Sequence, residues 1–258
     1  MPSFFVAHGA PTLALEEDDF TRAARAFGAK ALSGARAVAI VSAHWEARPP
    51  MRVNAVARPQ PIYDFGGFDP ALYRVRYDAP GDPEVARTIA ATLAAAGIES
   101  TLETARGWDH GVWVPLKHLL PEARIPVVEV SLPQPVDPKE LLRAGRALAP
   151  LRDDGIAIAG SGGIVHNLGL LNFANKNSPP ADWAVEFDTW VAEKIAERDF
   201  DAIADWRRAA HAGLAVPTPE HFEPLLIALG ASTPEDRLTE IYAGFQYATL
   251  SMRSVAFG

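Results

Sequence analysis

The chain has 258 residues, 48% hydrophobic and 22% charged, a globular composition that buries a substantial core and rules out intrinsic disorder. It contains no cysteine, which excludes disulfide frameworks, thiolate zinc sites, iron–sulfur clusters and cysteine nucleophiles, so any metal must sit on histidine or carboxylate. With 24 basic against 32 acidic residues, net −8, it lacks the cationic excess that binds nucleic acid. No apolar run approaches the roughly 20 residues of a membrane helix. A soluble, cytoplasmic protein acting on a small molecule is expected, with no nucleic-acid or membrane partner.

Ser3 to Ala7 is a short apolar run stopped by His8-Gly9-Ala10-Pro11 and reads as a buried strand ending in a turn. Asp18 and Asp19 open a helical stretch to about Leu32. A second buried strand, Ala37 to Ala43, ends at His44, and Met51 to Val56 forms a further strand. From Ala57 to Pro83 the chain is rich in Pro, Gly, Asp and aromatics, which suits a loop covering a site. Within it, the loop from Tyr63 to Tyr73 reads either as a lid whose Phe65, Phe68 and glycines cover an aromatic ring or as core. Asp82-Pro83 places a cap and an N1 proline before a helix from Glu84 to Ala96, stopped by Gly97. A strand at Glu99 to Leu102 and a turn at Gly107 to Gly111 follow. Val112 to Leu120 reads as a helix and Ile125 to Leu132 as a strand. Asp137-Pro138 repeats the cap-and-proline device for a helix to about Leu151.

Gly155 to Ala159 is a third buried strand, running into Gly160-Ser161-Gly162-Gly163-Ile164-Val165-His166. Helices at Trp183 to Arg198, Asp201 to Ala210 and Glu220 to Leu229 and a closing strand from Tyr247 to Phe257 complete the pattern. Alternating buried strands and helices predict a single-domain α/β fold, a largely parallel sheet covered on both faces. Residues 1–258 contain no internal repeat and no clean linker.

Ligands in open α/β sheets collect beyond the carboxyl ends of the strands. His8 and His44 each terminate a buried strand, His166 follows the glycine turn ending a third, and His221 opens a helix after a proline turn. Each alone also reads as a packing residue. Together, at equivalent element ends and far apart in sequence, they indicate a metal site assembled by the fold. His118 and His211 have no strand end or glycine beside them and read as structural. The glycine turn has neither the third glycine of a dinucleotide loop nor the Lys of a P-loop, and its simpler use is to let His166 approach a ligand. Ser161 lies outside any G-x-S-x-G elbow, and H-E-x-x-H is absent. The acidic run Glu16 to Asp19 fits a solvated helix N-terminus.

The segments HGAP at His8, SAHWE around His44, YDFGGFDPALY from Tyr63, GWDHGVW around His110, GSGGIVHNL through His166 and PTPEHFEPLL around His221 resemble, in order and over nearly the whole chain, the DOPA 4,5-dioxygenase type of class III extradiol ring-opening dioxygenases. The resemblance implies one α/β domain with a single non-haem divalent metal at the strand ends. His8, His44 and His221 match its metal-binding positions. His166 matches a position that serves as a further ligand in this branch and as an acid or base in related ones. His110 matches a histidine that would sit beside the oxygen site and shuttle protons.

The expected reaction opens the ring of a catechol, DOPA- or caffeate-like, with dioxygen to give a semialdehyde. Fe(II) with three facial protein ligands leaves room for both catechol oxygens and dioxygen. Imidazole, with a pKa near 6.5 when unperturbed, can take and return the protons. Related branches use two histidines and a glutamate, whereas the matching position here is His221, flanked by Glu220 and Glu223. An all-imidazole set suits Zn(II) as well as Fe(II). A zinc-dependent hydrolase and a non-catalytic metal-binding protein of the same fold are the rival readings. Arg74, Arg76 and Arg106 lie near the expected pocket, where they could meet a substrate carboxylate or simply be solvated. No leftover amphipathic stripe indicates an oligomeric state.

Overall fold

Alternation within the apolar runs places side chains on both faces of one sheet. In Ala37 to Val41, residues 37, 39 and 41 join one core cluster and residues 38 and 40 the other, as expected for a strand buried on both sides. The computed structural model describes all of residues 1–258. Its first half comprises β1 (Ser3–Ala7), α1 (Asp19–Phe27), β2 (Ala37–Ala47), β3 (Met51–Asn54), α2 (Pro83–Ala95), β4 (Ser100–Glu103), α3 (His110–Leu119) and β5 (Val127–Pro133). The second half contributes α4 (Pro138–Leu148), β6 (Ile156–Gly162), α5 (Asp182–Glu197), α6 (Phe200–Ala204), α7 (Ala212–Ala215), α8 (Pro224–Gly230), β7 (Leu238–Tyr242), β8 (Phe245–Gln246), β9 (Leu250–Ser251) and β10 (Ser254–Phe257).

Eight strands form one sheet in the order β4-β3-β5-β2-β6-β1-β10-β7. The central β5, β2, β6 and β1 are mutually parallel, and antiparallel pairings join β3 to β5 and β10 to β1 and β7. The fold is a single-domain α/β arrangement with a mostly parallel sheet. Residues of α2, α4, α5 and α8 fill the larger core cluster on one face, and α1, α3 and part of the 57–83 loop fill the other. No helix is long and apolar enough to cross a membrane.

The cap signals locate two helices closely. Asp82 accepts from the amides of Glu84 and Val85, and Asp137 accepts from that of Lys139. Asp18 caps α1 through Thr21, and Lys176 bridges Glu16 and Asp18, so the acidic run is structural.

Several boundaries differ from the sequence reading, each for a physical reason. The second strand does not stop at His44. It continues to Ala47 after an irregularity between Val41 and Glu46 in its pairing with β5, a kink of the kind that re-aims side chains. Helix α3 begins at His110, inside the expected turn, with Asp109 at its N-cap. The expected helix from Glu220 starts only at Pro224, leaving His221 in the preceding turn. The closing strand is interrupted by Tyr247 and Ala248, both left-handed (φ 53° and 69°), between β8 and β9. The half-exposed edge strand β7 was not anticipated.

The 57–83 segment is partly built into the core, with residues 64–71 left exposed or half-buried. Leu72, Val75, Tyr77 and Ala79 are buried in it, the Tyr63 hydroxyl donates to the Val75 carbonyl at 2.7 Å, and the Trp113 indole donates to the Ile62 carbonyl at 3.1 Å.

The glycines at the end of β6 have a use beyond the one expected. A Cβ on Gly160 would lie 2.0 Å from the Pro224 carbonyl oxygen, and one on Gly162 would lie 2.0 Å from that of His221. Backbone therefore packs directly on backbone, and the Gly163 amide donates to the His221 carbonyl at 2.8 Å. It is His221, 59 residues downstream of Gly162, that these glycines admit. Gly162→Ala is expected to destabilise the fold by about 3 kcal/mol or to prevent folding. Gly213→Ala, where nothing lies within 4 Å, should change stability by less than about 0.5 kcal/mol. Urea denaturation of both variants tests this, and equal stabilities would refute it.

Candidate metal centre

His8 follows β1, His44 lies in β2 and His221 is held against β6, so adjacent strands deliver three imidazoles to one point. Their ring centroids are 4.8 Å (His8 to His44), 5.1 Å (His8 to His221) and 4.8 Å (His44 to His221) apart. One donor nitrogen from each lies within 4.8 Å of the other two.

The neighbours of these rings decide which nitrogen is free. Ser161 donates its hydroxyl proton to the Gly111 carbonyl, so its oxygen, 3.0 Å from His8 Nδ1, accepts from that ring. A carboxylate accepts only. Asp64 Oδ2 lies 3.5 Å from His44 Nδ1, and Glu220 Oε1 lies 3.0 Å from His221 Nδ1. His8 and His221 Nδ1 are each hydrogen-bonded to an acceptor, which leaves their Nε2 lone pairs free, while His44 Nδ1 faces Asp64 at a distance longer than a hydrogen bond. The Nε2 atoms of His8 and His44 stand 3.1 Å apart. At this distance the two nitrogens either share one ring's Nε2 proton or, with both lone pairs free, flank a cation: 3.1 Å is near the spacing of about 3.3 Å between nitrogens bound tetrahedrally at roughly 2.0–2.1 Å. The donor set fits one divalent ion, and its outer partners are of the kind that orient metal-bound histidines.

The electrostatics agree. Burial, then His44 and the other imidazoles, hold His8 well below the ordinary histidine range. Burial, then His166, does the same for His221. His44 is lowered to about 4 by burial and His110. The rings are neutral at pH 7, the form that ligates.

His166 lies outside the converging set. Its ring stacks flat on His221, with centroids 3.5 Å apart and planes at 6°, and burial followed by His44 lowers it to about 4. His110 is buried beside His44, at 3.9 Å between centroids. Its Nδ1 and its backbone N–H are each 3.0 Å from Asp64 Oδ1. Phe65 meets the His110 ring edge-on, 5.5 Å away. Burial works to raise the Asp64 carboxyl, but hydrogen bonds and charge from His110, with His44, outweigh it and leave the group below its ordinary value. Asp64, His44 and His110 form a second close group of donor atoms.

His118 and His211 lie elsewhere, with Nε2 2.8 Å from the Leu13 carbonyl and from Glu186, respectively. Of the three arginines near the expected pocket, Arg106 is engaged inside the protein: it bonds Asp109 at 2.9 Å and the His44 carbonyl at 3.3 Å and lies over Trp45. Arg76 pairs with Gln60 and Asp78, and Arg74 is exposed.

Sequence reading missed Asp64, Ser161 and Asp109. Asp109, fully buried, accepts from Ser42 at 2.6 Å as well as from Arg106. Glu129, also fully buried, has both carboxyl oxygens without a hydrogen-bond partner and lies 3.8 Å from Arg106 Nε. One guanidinium cannot neutralise two buried carboxylates. Burial, then Asp109, holds Glu129 well above the ordinary range, which favours its protonated form. Such a group favours the fold fully below its unfolded pKa of about 4.5 and progressively less as pH rises toward its folded pKa. Glu129→Gln, which cannot ionise, should match wild type near pH 4.5. It should then gain on wild type by up to about 1.4 kcal/mol per pH unit above that. Denaturation at pH 5 and 8 tests this, and a pH-independent difference would count against it.

The sequence profile described as the catalytic LigB subunit of aromatic ring-opening dioxygenase matches residues 3–258. Among curated proteins, the chain is 35% identical over 264 residues to the 4,5-DOPA dioxygenase extradiol of Beta vulgaris, covering 99% of this chain and 96% of that protein. It is 36% identical over 261 residues to the protein of the same name from Escherichia coli K12, covering 100% and 95%. The crystal structure of the uncharacterized protein JW3007 from Escherichia coli K12 superposes with a TM-score of 0.86 at 33% identity, with both chains fully covered.

Proposed function

Because the chain belongs to the LigB family of aromatic ring-opening dioxygenases, we propose that it is an extradiol enzyme for a DOPA- or caffeate-like catechol, with residues 1–258 acting as one catalytic unit. His8, His44 and His221 would hold one divalent ion. The observation that carries this reading is the convergence of one ring nitrogen from each of the three histidines, with the Nδ1 of His8 and of His221 bonded to an acceptor. A ferrous ion supplies the electron exchange that lets dioxygen react with a closed-shell catechol.

The rest is the work of the chain. His110 removes a catechol hydroxyl proton through Nε2, since its Nδ1 is turned to Asp64. His166, stacked on His221 rather than converging with it, handles the second proton. The aromatic loop carrying Phe65 borders the substrate ring and limits water. In the overall reaction the ring C–C bond beside the diol breaks, both atoms of dioxygen enter the semialdehyde, and no external reductant is consumed.

The test is anaerobic loading with Fe(II) or Zn(II), then DOPA, caffeate or protocatechuate in air, with oxygen uptake and visible absorbance recorded. The iron form should give a yellow product with one dioxygen per catechol, and the zinc form none. Stoichiometric iron with no catechol consumed would overturn the proposal. Ester hydrolysis by the zinc form would then favour the hydrolase reading that a three-imidazole site also suits.

A further inference from the structure

We infer that Asp64 is a positioning residue that orients two histidines at once, the ligand His44 and the proton-handling His110, from a place on the aromatic loop. The inference rests on the proposed function and extends it to a residue outside the histidine set. The two carboxylate oxygens are divided between the rings. Oδ1 takes both the backbone N–H and the Nδ1 of His110 at 3.0 Å, and Oδ2 faces His44 Nδ1 at 3.5 Å.

Oδ1 within hydrogen-bond reach selects the Nδ1–H tautomer of His110, and the longer electrostatic approach of Oδ2 favours the same tautomer of His44. The lone pair of His44 then points at that of His8, and the lone pair of His110 stays on Nε2. One carboxylate therefore ties ligand geometry to base geometry, although the residues concerned are 20 and 46 positions away in sequence.

The residues flanking Asp64 are anchored, and its side chain is 24% exposed. The Ile62 amide donates to the Trp108 carbonyl at 2.6 Å, Tyr63 is anchored at Val75 and Phe65 packs on Trp113. Anchored neighbours of this kind are what an outer partner needs if it is to fix a tautomer.

Two variants separate the contacts. Asp64→Asn keeps an oxygen for His110 but turns an amide N–H toward His44 Nδ1–H, donor against donor. Asp64→Ala removes both contacts. Long-range 1H–15N spectra of the zinc-loaded protein with 15N-labelled histidine read the tautomers directly, and chelator competition reads zinc affinity. Wild type should show Nδ1–H at His44 and His110. Asp64→Asn should bind zinc 10- to 100-fold more weakly with the His110 tautomer kept, and Asp64→Ala should lose that tautomer as well. In the iron form both variants should lower kcat at least tenfold with KM within about twofold.

Wild-type zinc affinity and unchanged tautomers in Asp64→Ala would overturn the inference. So would two zinc ions per wild-type chain falling to one in Asp64→Asn, which would make Asp64 a ligand of a second ion. The zinc and tautomer measurements need no turnover, so they decide the role of Asp64 even in a protein that cleaves no catechol. Asp64→Asn, isosteric with wild type, decides it alone if Asp64→Ala does not fold: wild-type zinc affinity in that variant would equally overturn the inference.

Discussion

Replacing His44 with alanine is expected to reduce bound metal from about one ion per chain to a trace after gel filtration. Two imidazoles would remain of the three that converge, and a bidentate remnant lacks the closed face that holds a divalent ion against solvent. Loss of an outer partner typically costs 10- to 100-fold in affinity, so loss of a ligand should cost well over 100-fold. Asp64 Oδ2 would lose its partner as well, but His110 would continue to bind Oδ1, and the fold should persist. Elemental analysis together with a thermal scan separates metal loss from unfolding. A folded variant with stoichiometric metal would remove His44 from the ligand set.

His110→Ala should have the complementary phenotype: full metal occupancy with turnover lowered by about 10²- to 10⁴-fold, the usual worth of a positioned acid–base group. His110 contributes no nitrogen to the converging trio, and its backbone amide would still reach Asp64. His44 should therefore keep its orientation. Oxygen uptake by the iron-loaded variant is the decisive measurement, and wild-type rates would exclude His110 from the chemistry. The two variants together distinguish residues that hold the ion from a residue that works beside it.

Local signals explain what could be read in advance. Aspartate followed by proline marks the starts of α2 and α4 because a side-chain acceptor and a fixed φ suit the first helical turn. His8 and His166 were visible because glycine-rich turns interrupt the apolar runs beside them.

Features made by contact between distant segments were not legible. His221 reaches the site because β6 carries glycines where α8 and its preceding turn press in, and glycines before a histidine look the same whichever backbone they admit. Asp64 is one acidic residue in an aromatic loop, and its meaning arises only against His110 and His44. The turn at Tyr247 and Ala248 uses left-handed residues that are not glycine, so residue type gives no warning of it. The edge strand β7 is exposed or half-buried along its length and lacks the alternation that reveals a strand.

The origin of the three ligands also bears on how the chain folds. Residue 8 follows the first strand, residue 44 lies in the second, and residue 221 sits just before the last helix. No early, locally formed unit contains more than two of them. A metal that recognises all three binds the finished sheet and has little purchase on a transition state in which the C-terminal segment has yet to dock. Added metal should then act on one kinetic limb, slowing unfolding while leaving the folding rate nearly unchanged. On this view the ion is a late clamp on a completed fold, and holoprotein lifetime, more than folding speed, records its presence.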